Sequence, residues 1–194
     1  MTRVAAHPIE PFILHRWSPR AMSGDAIPRE ELLRLFEAAR WAPSWGNSQP
    51  WRFVLTVRDT PAFKKLFDTL DTGNQEWCVR AAALVLVCST KISKRPGKPD
   101  KPLPTHAFDT GAAWMALALQ ARALNLVVHG MGGFDPAKAR AECKVPDDVD
   151  IHCVVAIGKP GDPAFLSEKN QASEKENDRD TIEQHVVDGA FSAT

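Results

Sequence analysis

The chain has 194 residues, 24 Lys+Arg against 24 Asp+Glu, and no formal net charge. Hydrophobic residues make up 44% and charged residues 25%, which excludes wholesale disorder and gives enough apolar mass for a core without disulfide or metal staples. Charge balance also argues against a general nucleic-acid binder, so any bound anion must be held by a local cluster of cations.

The four cysteines, Cys78, Cys88, Cys143 and Cys153, form no C-x-x-C pair, which disfavours a zinc ribbon or a thioredoxin-type motif. Cys88 and Cys153 sit in apolar runs and are expected to be small core residues. Met1 to Glu10 has no apolar segment of the kind a secretory signal needs. The longest apolar stretch is far too short for a membrane span. The expectation is therefore an intracellular, cytoplasmic protein.

In chain order, residues 1–11 read as an arm in which Pro8 and Pro11 resist helix. Pro28 to Trp41 reads as a helix, with Glu30 and Glu31 at its positive end and Leu32, Leu35, Phe36 and Ala39 on one face. Trp51 to Val57 is a strand by its aromatic and β-branched content. Pro61 to Leu70 predicts a short helix. Ala81 to Ser89 is a continuous apolar run that suits a strand buried on both faces.

Residues 91–104, with four prolines and five Lys/Arg, read as a loop, either a solvated one or a flap over a site. Asp109 to Leu124 is the strongest helix, apolar almost all round, and is expected to be central and buried. Leu126 to His129 predicts a strand. Asp135 followed by Pro136 opens a helix to about Cys143, and Ile151 to Ile157 is a further strand. Gly161 to Asp180 reads as irregular, and Thr181 to Phe191 ends in apolar residues that need something to pack on. The order of elements predicts an α/β or α+β sandwich and a single domain over residues 1–194.

No hydrolase constellation is present: there is no G-x-S-x-G and no H-E-x-x-H. With six Trp and no Tyr, no phenol can act as acid or base. Three clusters stand out. Arg16-Trp17-Ser18-Pro19-Arg20 places two guanidiniums around a hydroxyl, which suits either a solvated surface or an anion. Residues 42–51 (APSWGNSQPW) combine turn formers with two indoles and two amides, suiting either a planar heteroaromatic ligand or a loop whose tryptophans fill the core. Gly130 to Asp135 (GMGGFD) is either a tight turn before a cap or a close approach of bare backbone to a ligand.

Taken together and in this order, these clusters resemble the nitroreductase family of FMN-dependent oxidoreductases. R-x-S-x-R is matched by Arg16, Ser18 and Arg20. P-S-x-x-N-x-Q-P-W-x-F is matched by Pro43, Ser44, Asn47, Gln49, Pro50, Trp51 and Phe53. The glycine turn is matched by Gly133, Phe134 and Asp135, and a late arginine before an amphipathic tail by Arg179.

The resemblance implies an α+β three-layer sandwich. Its central, mostly antiparallel sheet would be flanked by helices, in an intertwined homodimer with FMN at the interface. It also implies that Arg16, Trp17, Ser18 and Arg20 face the flavin edge, ribityl and phosphate. Arg179 would be a phosphate cation, and Gly132 and Gly133 would offer backbone donors near the ring. Asn74 would lie beside the pyrimidine, and Pro43, Ser44 and Asn47 would reach the partner's FMN. No protein side chain is then expected to act as the catalytic acid or base, because the cofactor carries the chemistry.

The implied activity is ping-pong reduction of nitroaromatics or quinones by NAD(P)H. A flavin-storage protein without turnover, or a flavin dehydrogenase or oxidase, is the alternative on the same scaffold. Trp17 stands where many members of that family carry a second basic residue or His, Gly132 where some carry an acid, and Asn177 where some carry a lysine near the phosphate.

Overall fold

The computed structural model describes residues 3–94, 97 and 99–191. Its main sheet has four strands, β1 (Trp51–Val57), β2 (Ala83–Thr90), β5 (Val127–Met131) and β6 (Val149–Gly158), in the order β1-β2-β6-β5. Every neighbouring pair is antiparallel, with a register shift between Val87 and Cys88 where β2 meets β6. The alternation of side chains across this sheet creates two cores.

On one face Leu84, Leu86, Cys88, Val154 and Ala156 pack with Phe63 and Leu66 of α3 (Pro61–Phe67), Trp77 and Cys78 of α4 (Thr72–Cys78) and Ala139 of α6 (Pro136–Cys143). On the other, Val85, Val87, Val155 and Ile157 pack with Leu32, Leu35 and Ala39 of α2 (Arg29–Ala39) and Ala113, Leu117, Ala118 and Ala121 of α5 (His106–Ala123). The chain is thus an α+β fold of three layers, an antiparallel sheet between helices. The remaining elements are α1 (Pro11–Leu14), α7 (Glu168–Ser173) and a ribbon of β3 (Ile92–Ser93) with β4 (Lys101–Pro102).

Several expectations hold. β2 is buried from Ala83 to Cys88, as a strand covered on both faces must be. α6 runs from Pro136 to Cys143, its first turn capped by the Asp135 carboxylate, which accepts from Ala137 N and Lys138 N.

Others are corrected. Pro11 does not resist helix: it opens the short α1, because proline at the first helical position gives up only an N–H that would be unpaired anyway. β5 runs on through Gly130 and Met131, which pair with Val155 and Val154, so the tight turn begins only at Gly132. The 91–104 segment holds the β3–β4 ribbon, and residues 95, 96 and 98 lie outside the described ones. Residues 161–180 are not wholly irregular, since they include α7.

The largest correction concerns α5. Its Ala113, Leu117, Ala118 and Ala121 are buried, yet Phe108 is 82% exposed and Met115 is exposed too. Its uniform apolarity therefore reflects two apolar faces, of which this chain covers one. Apolar side chains Ile182, Val186, Val187 and Phe191 of the tail are exposed as well. Among the described residues no helix is long and apolar enough to cross a membrane.

Candidate functional site

The segment leading to the main fold is laid against the 159–161 strand end. Ser23 N donates to Lys159 O at 3.0 Å and Gly161 N to Ala21 O at 3.0 Å. Glu174 fixes the segment from the other side, its carboxylate accepting from Arg20 N at 2.8 and 3.0 Å and from Ala21 N at 2.8 Å. Arg3 completes the clamp. Its guanidinium donates to the carbonyls of Leu14 and Arg16, each at 2.8 Å, and to Asn177 O and Oδ1 at 2.7 and 3.0 Å. These bonds bring residues 16–20 beside residues 173–179, more than 150 positions later in the chain.

The result is a cavity of about 440 Å³ lined by Arg16, Trp17, Ser18, Arg20 and Arg179 together with His129, Ser173, Lys175 and Asn177. Five sequence-predicted residues thus meet in one place. Its electrostatics are one-sided. Burial and the like charges of Arg179 and Arg3 push the Arg16 guanidinium below its ordinary pKa. Within the described residues no carboxylate bonds the side chain of Arg16, Arg20, Lys175 or Arg179. The guanidinium of Arg16 donates to Ser18 Oγ, that of Arg20 to Ser173 Oγ, and that of Arg179 to Asn177 Oδ1 and Asp178 O.

Asn74, Gly132 and Gly133 form a second group. Asn74 Nδ2 donates to Gly133 O at 3.0 Å, and Asp71 N donates to the same oxygen at 3.0 Å. Asp71 also caps α4, accepting from Asn74 N at 2.7 Å. A Cβ on Gly133 would lie 1.9 Å from Asp71 Oδ2, so glycine is required there by close approach. A Cβ on Gly132 would meet nothing within 4 Å, leaving its backbone beside open space. The two groups touch through Trp77 of α4 and His129 of β5, whose ring centroids are 4.6 Å apart.

Pro43, Ser44 and Asn47 are not brought to the arginine cavity. They sit in a loop folded around a single 3₁₀ turn, Trp45–Asn47, with Ser44 Oγ accepting from Gln49 N at 3.0 Å. The loop is pinned to α5: Trp45 N donates to the buried Asp109 carboxylate at 3.1 Å, which also accepts from Thr105 Oγ1 at 3.1 Å. Asn47 and Gln49 have φ of 53° and 49°, a left-handed conformation asparagine tolerates better than most residues. Trp45 is 55% exposed, so it is not the core filler that one reading of the loop required, whereas Trp51 is buried.

Sequence reasoning missed Arg3, His129, Lys175 and Asp109. The alternation Lys175, Asn177, Arg179 was a visible signal, since every second residue of an extended segment shares a side. Arg3, His129 and Asp109 carried no local signal. Among the described residues no group of three His, Cys, Asp or Glu side chains could hold a metal ion.

Comparison with known proteins decides the family. The model of the nitroreductase family matches residues 13–70 and 56–159. The chain belongs to the nitroreductase family. An Archaeoglobus fulgidus protein provisionally named NADH dehydrogenase/NAD(P)H nitroreductase is 32% identical over 156 residues, covering 78% of this chain and 84% of that protein. A crystal structure described as an oxidoreductase containing FMN superimposes with a TM-score of 0.94 at 36% identity, covering 99% of this chain and 97% of that one. A nitroreductase-like protein of Desulfovibrio desulfuricans in complex with FMN shares the fold alone, at a TM-score of 0.71 and 21% identity over 95% of this chain and all of that one.

Proposed function

We propose that this nitroreductase-family chain binds FMN in the arginine-lined cavity and uses NAD(P)H to reduce small planar electron acceptors such as nitroaromatics or quinones. The observation that carries the reading is the cluster of Arg16, Arg20, Lys175 and Arg179 around one cavity, with no carboxylate among the described residues bonded to their side chains. A ligand phosphate of about −2 charge relieves that excess and gains charge-assisted bonds, each worth about 1.5–3 kcal/mol. When bound, FMN supplies the hydride chemistry, so the reading asks no protein side chain to act as acid or base.

In this reading Arg16, Trp17, Ser18 and Arg20 hold the ribityl, phosphate and ring edge, and Arg179 adds a phosphate cation. Asn74 is oriented by Gly133 toward the ring, and Gly132 presents bare backbone to it. Residues 1–194 act as one FMN-binding unit. The exposed apolar face of α5 and the exposed tail support a homodimer, in which Pro43, Ser44 and Asn47 of one protomer reach the FMN of the other. Such residues make the assembly part of the site.

The test is turnover. The FMN-loaded protein is mixed with NADH or NADPH and a nitroaromatic, and nicotinamide oxidation is followed. Oxidation that needs FMN and the acceptor supports the reading. Tightly bound flavin that neither nicotinamide reduces overturns it and favours a storage role; flavin reduced instead by an organic donor, with oxygen uptake, favours a dehydrogenase or oxidase.

A further inference from the structure

The lining of the arginine cavity is almost entirely a set of donors. Its other side-chain acceptors are each engaged by an arginine: Ser18 Oγ accepts from Arg16, Ser173 Oγ from Arg20, and Asn177 Oδ1 from Arg3 and Arg179. His129 is the exception. Its Nδ1 lies 3.1 Å from Pro19 O. A carbonyl offers only lone pairs, so Nδ1 carries the proton. Trp77 packs on the imidazole at 4.6 Å between centroids and 42° between planes, which fixes the orientation of the ring.

The charge state follows from the surroundings. Burial and the nearby Arg20 guanidinium lower the His129 pKa, and they outweigh Glu174 and the carbonyls of Pro19 and Ser18, which raise it. A neutral imidazole protonated at Nδ1 has a bare lone pair at Nε2.

We infer that Nε2 of His129 accepts a hydrogen bond from a hydroxyl or imide N–H of the bound ligand, and so selects a hydroxylated phosphate ester over a bare anion. The arginines answer the charge of the ligand, and His129 answers a donor attached to it. An anion without a donor, such as sulfate, satisfies the first and leaves the second without a partner. This rests on the FMN reading, since FMN brings a phosphate, ribityl hydroxyls and an imide on one molecule, but it assigns a discriminating contact to a residue outside the motifs of the family.

The experiment measures binding of FMN, ribose 5-phosphate and sulfate, which carries no hydrogen-bond donor, to wild-type protein, His129→Leu and His129→Gln, with thermal melts to establish that each variant folds. The wild type binds ribose 5-phosphate more tightly than sulfate. His129→Leu loses about five- to tenfold for FMN and for ribose 5-phosphate, with sulfate binding unchanged, as expected when one hydrogen bond is removed. His129→Gln, which restores an acceptor, recovers most of the loss.

Affinities for FMN and ribose 5-phosphate within twofold of wild type in His129→Leu would overturn the inference. So would an equal loss of sulfate binding, which would mean that the cavity had collapsed. If the wild type ignores FMN but keeps a His129-dependent preference for ribose 5-phosphate, the FMN reading falls and the role of His129 stands.

Discussion

Gly133 and Gly132 are neighbours with opposite demands, and replacing each by alanine separates structure from ligand contact. At Gly133 the new methyl would lie 1.9 Å from Asp71 Oδ2 and 2.8 Å from Asn74 Nδ2. Asp71 must swing away, and its carboxylate then leaves Asn74 N, 2.7 Å distant, so the cap of α4 is lost at a cost of about 1 kcal/mol. The Asn74 bond to Gly133 O, 3.0 Å long, goes with it for about 1 kcal/mol more. A loss of about 2 kcal/mol corresponds to a fall of about 4–8 °C in Tm for a chain of this size.

At Gly132 the methyl meets nothing within 4 Å, so stability changes by less than about 0.5 kcal/mol. In the proposed reading the flavin lies on that open side, so Gly132→Ala is expected to weaken FMN while leaving the ligand-free melt within that margin. The assay is a thermal melt without ligand followed by an FMN titration for each variant. Equal ligand-free melting of Gly133→Ala and wild type, or a drop in Gly132→Ala as large as in Gly133→Ala, would refute the reasoning.

Two further outcomes follow from the clamp and the imidazoles. Arg3→Ala removes four hydrogen bonds joining residues 14–16 to Asn177; partial rehydration of the freed carbonyls leaves a cost of about 2–4 kcal/mol, read as a lower Tm. The same change loosens the spacing of Arg16 and Arg179, so FMN affinity falls although Arg3 does not line the cavity; unchanged affinity would contradict the clamp.

The second outcome concerns acid. His129, facing Arg20 and Glu174, and His152, facing His106 and Asp150, both have folded-state pKa values below the ordinary 6.5, chiefly from burial. The unfolded chain therefore takes up protons first as pH falls, so stability is full above 6.5 and declines as pH drops from there toward the folded-state values. Denaturant melts between pH 8 and pH 5 measure this, and His129→Gln shows a shallower decline; a flat profile in the wild type would contradict the assignment.

The parts of the fold legible in the sequence are those whose signal is local. The apolar run of β2 announces a strand covered on both faces, and Asp135-Pro136 announces the start of α6. α4 was invisible because Thr72–Cys78 is short and includes Gly73; it is held by the Asp71 cap and by burial of Trp77 and Cys78, which are properties of the assembled fold. The exposed face of α5 could not be told from its buried face, since periodicity reports apolarity and not what covers it.

The site divides the same way. The arginines of residues 16–20 were legible as an anion-holding cluster, and the family resemblance added Arg179 and Asn74. Their placement was not legible, because it depends on long-range bonds from Arg3, Glu174 and Gly133. His129 carries no local signal in the sequence; only the carbonyl of Pro19 and the indole of Trp77 give it a defined tautomer and direction.

The account depends on a cofactor phosphate and ring held by the guanidiniums of Arg16, Arg20 and Arg179. The most direct measurement is an equilibrium titration of ligand-free protein with FMN, followed by quenching of flavin fluorescence, in wild type and Arg16→Ala. The account predicts saturation at one FMN per chain in the wild type and a loss of about tenfold or more in Arg16→Ala, the loss of one charge-assisted hydrogen bond. A wild type that leaves flavin fluorescence unchanged, or an Arg16→Ala variant that binds FMN as tightly and in the same ratio, would contradict it.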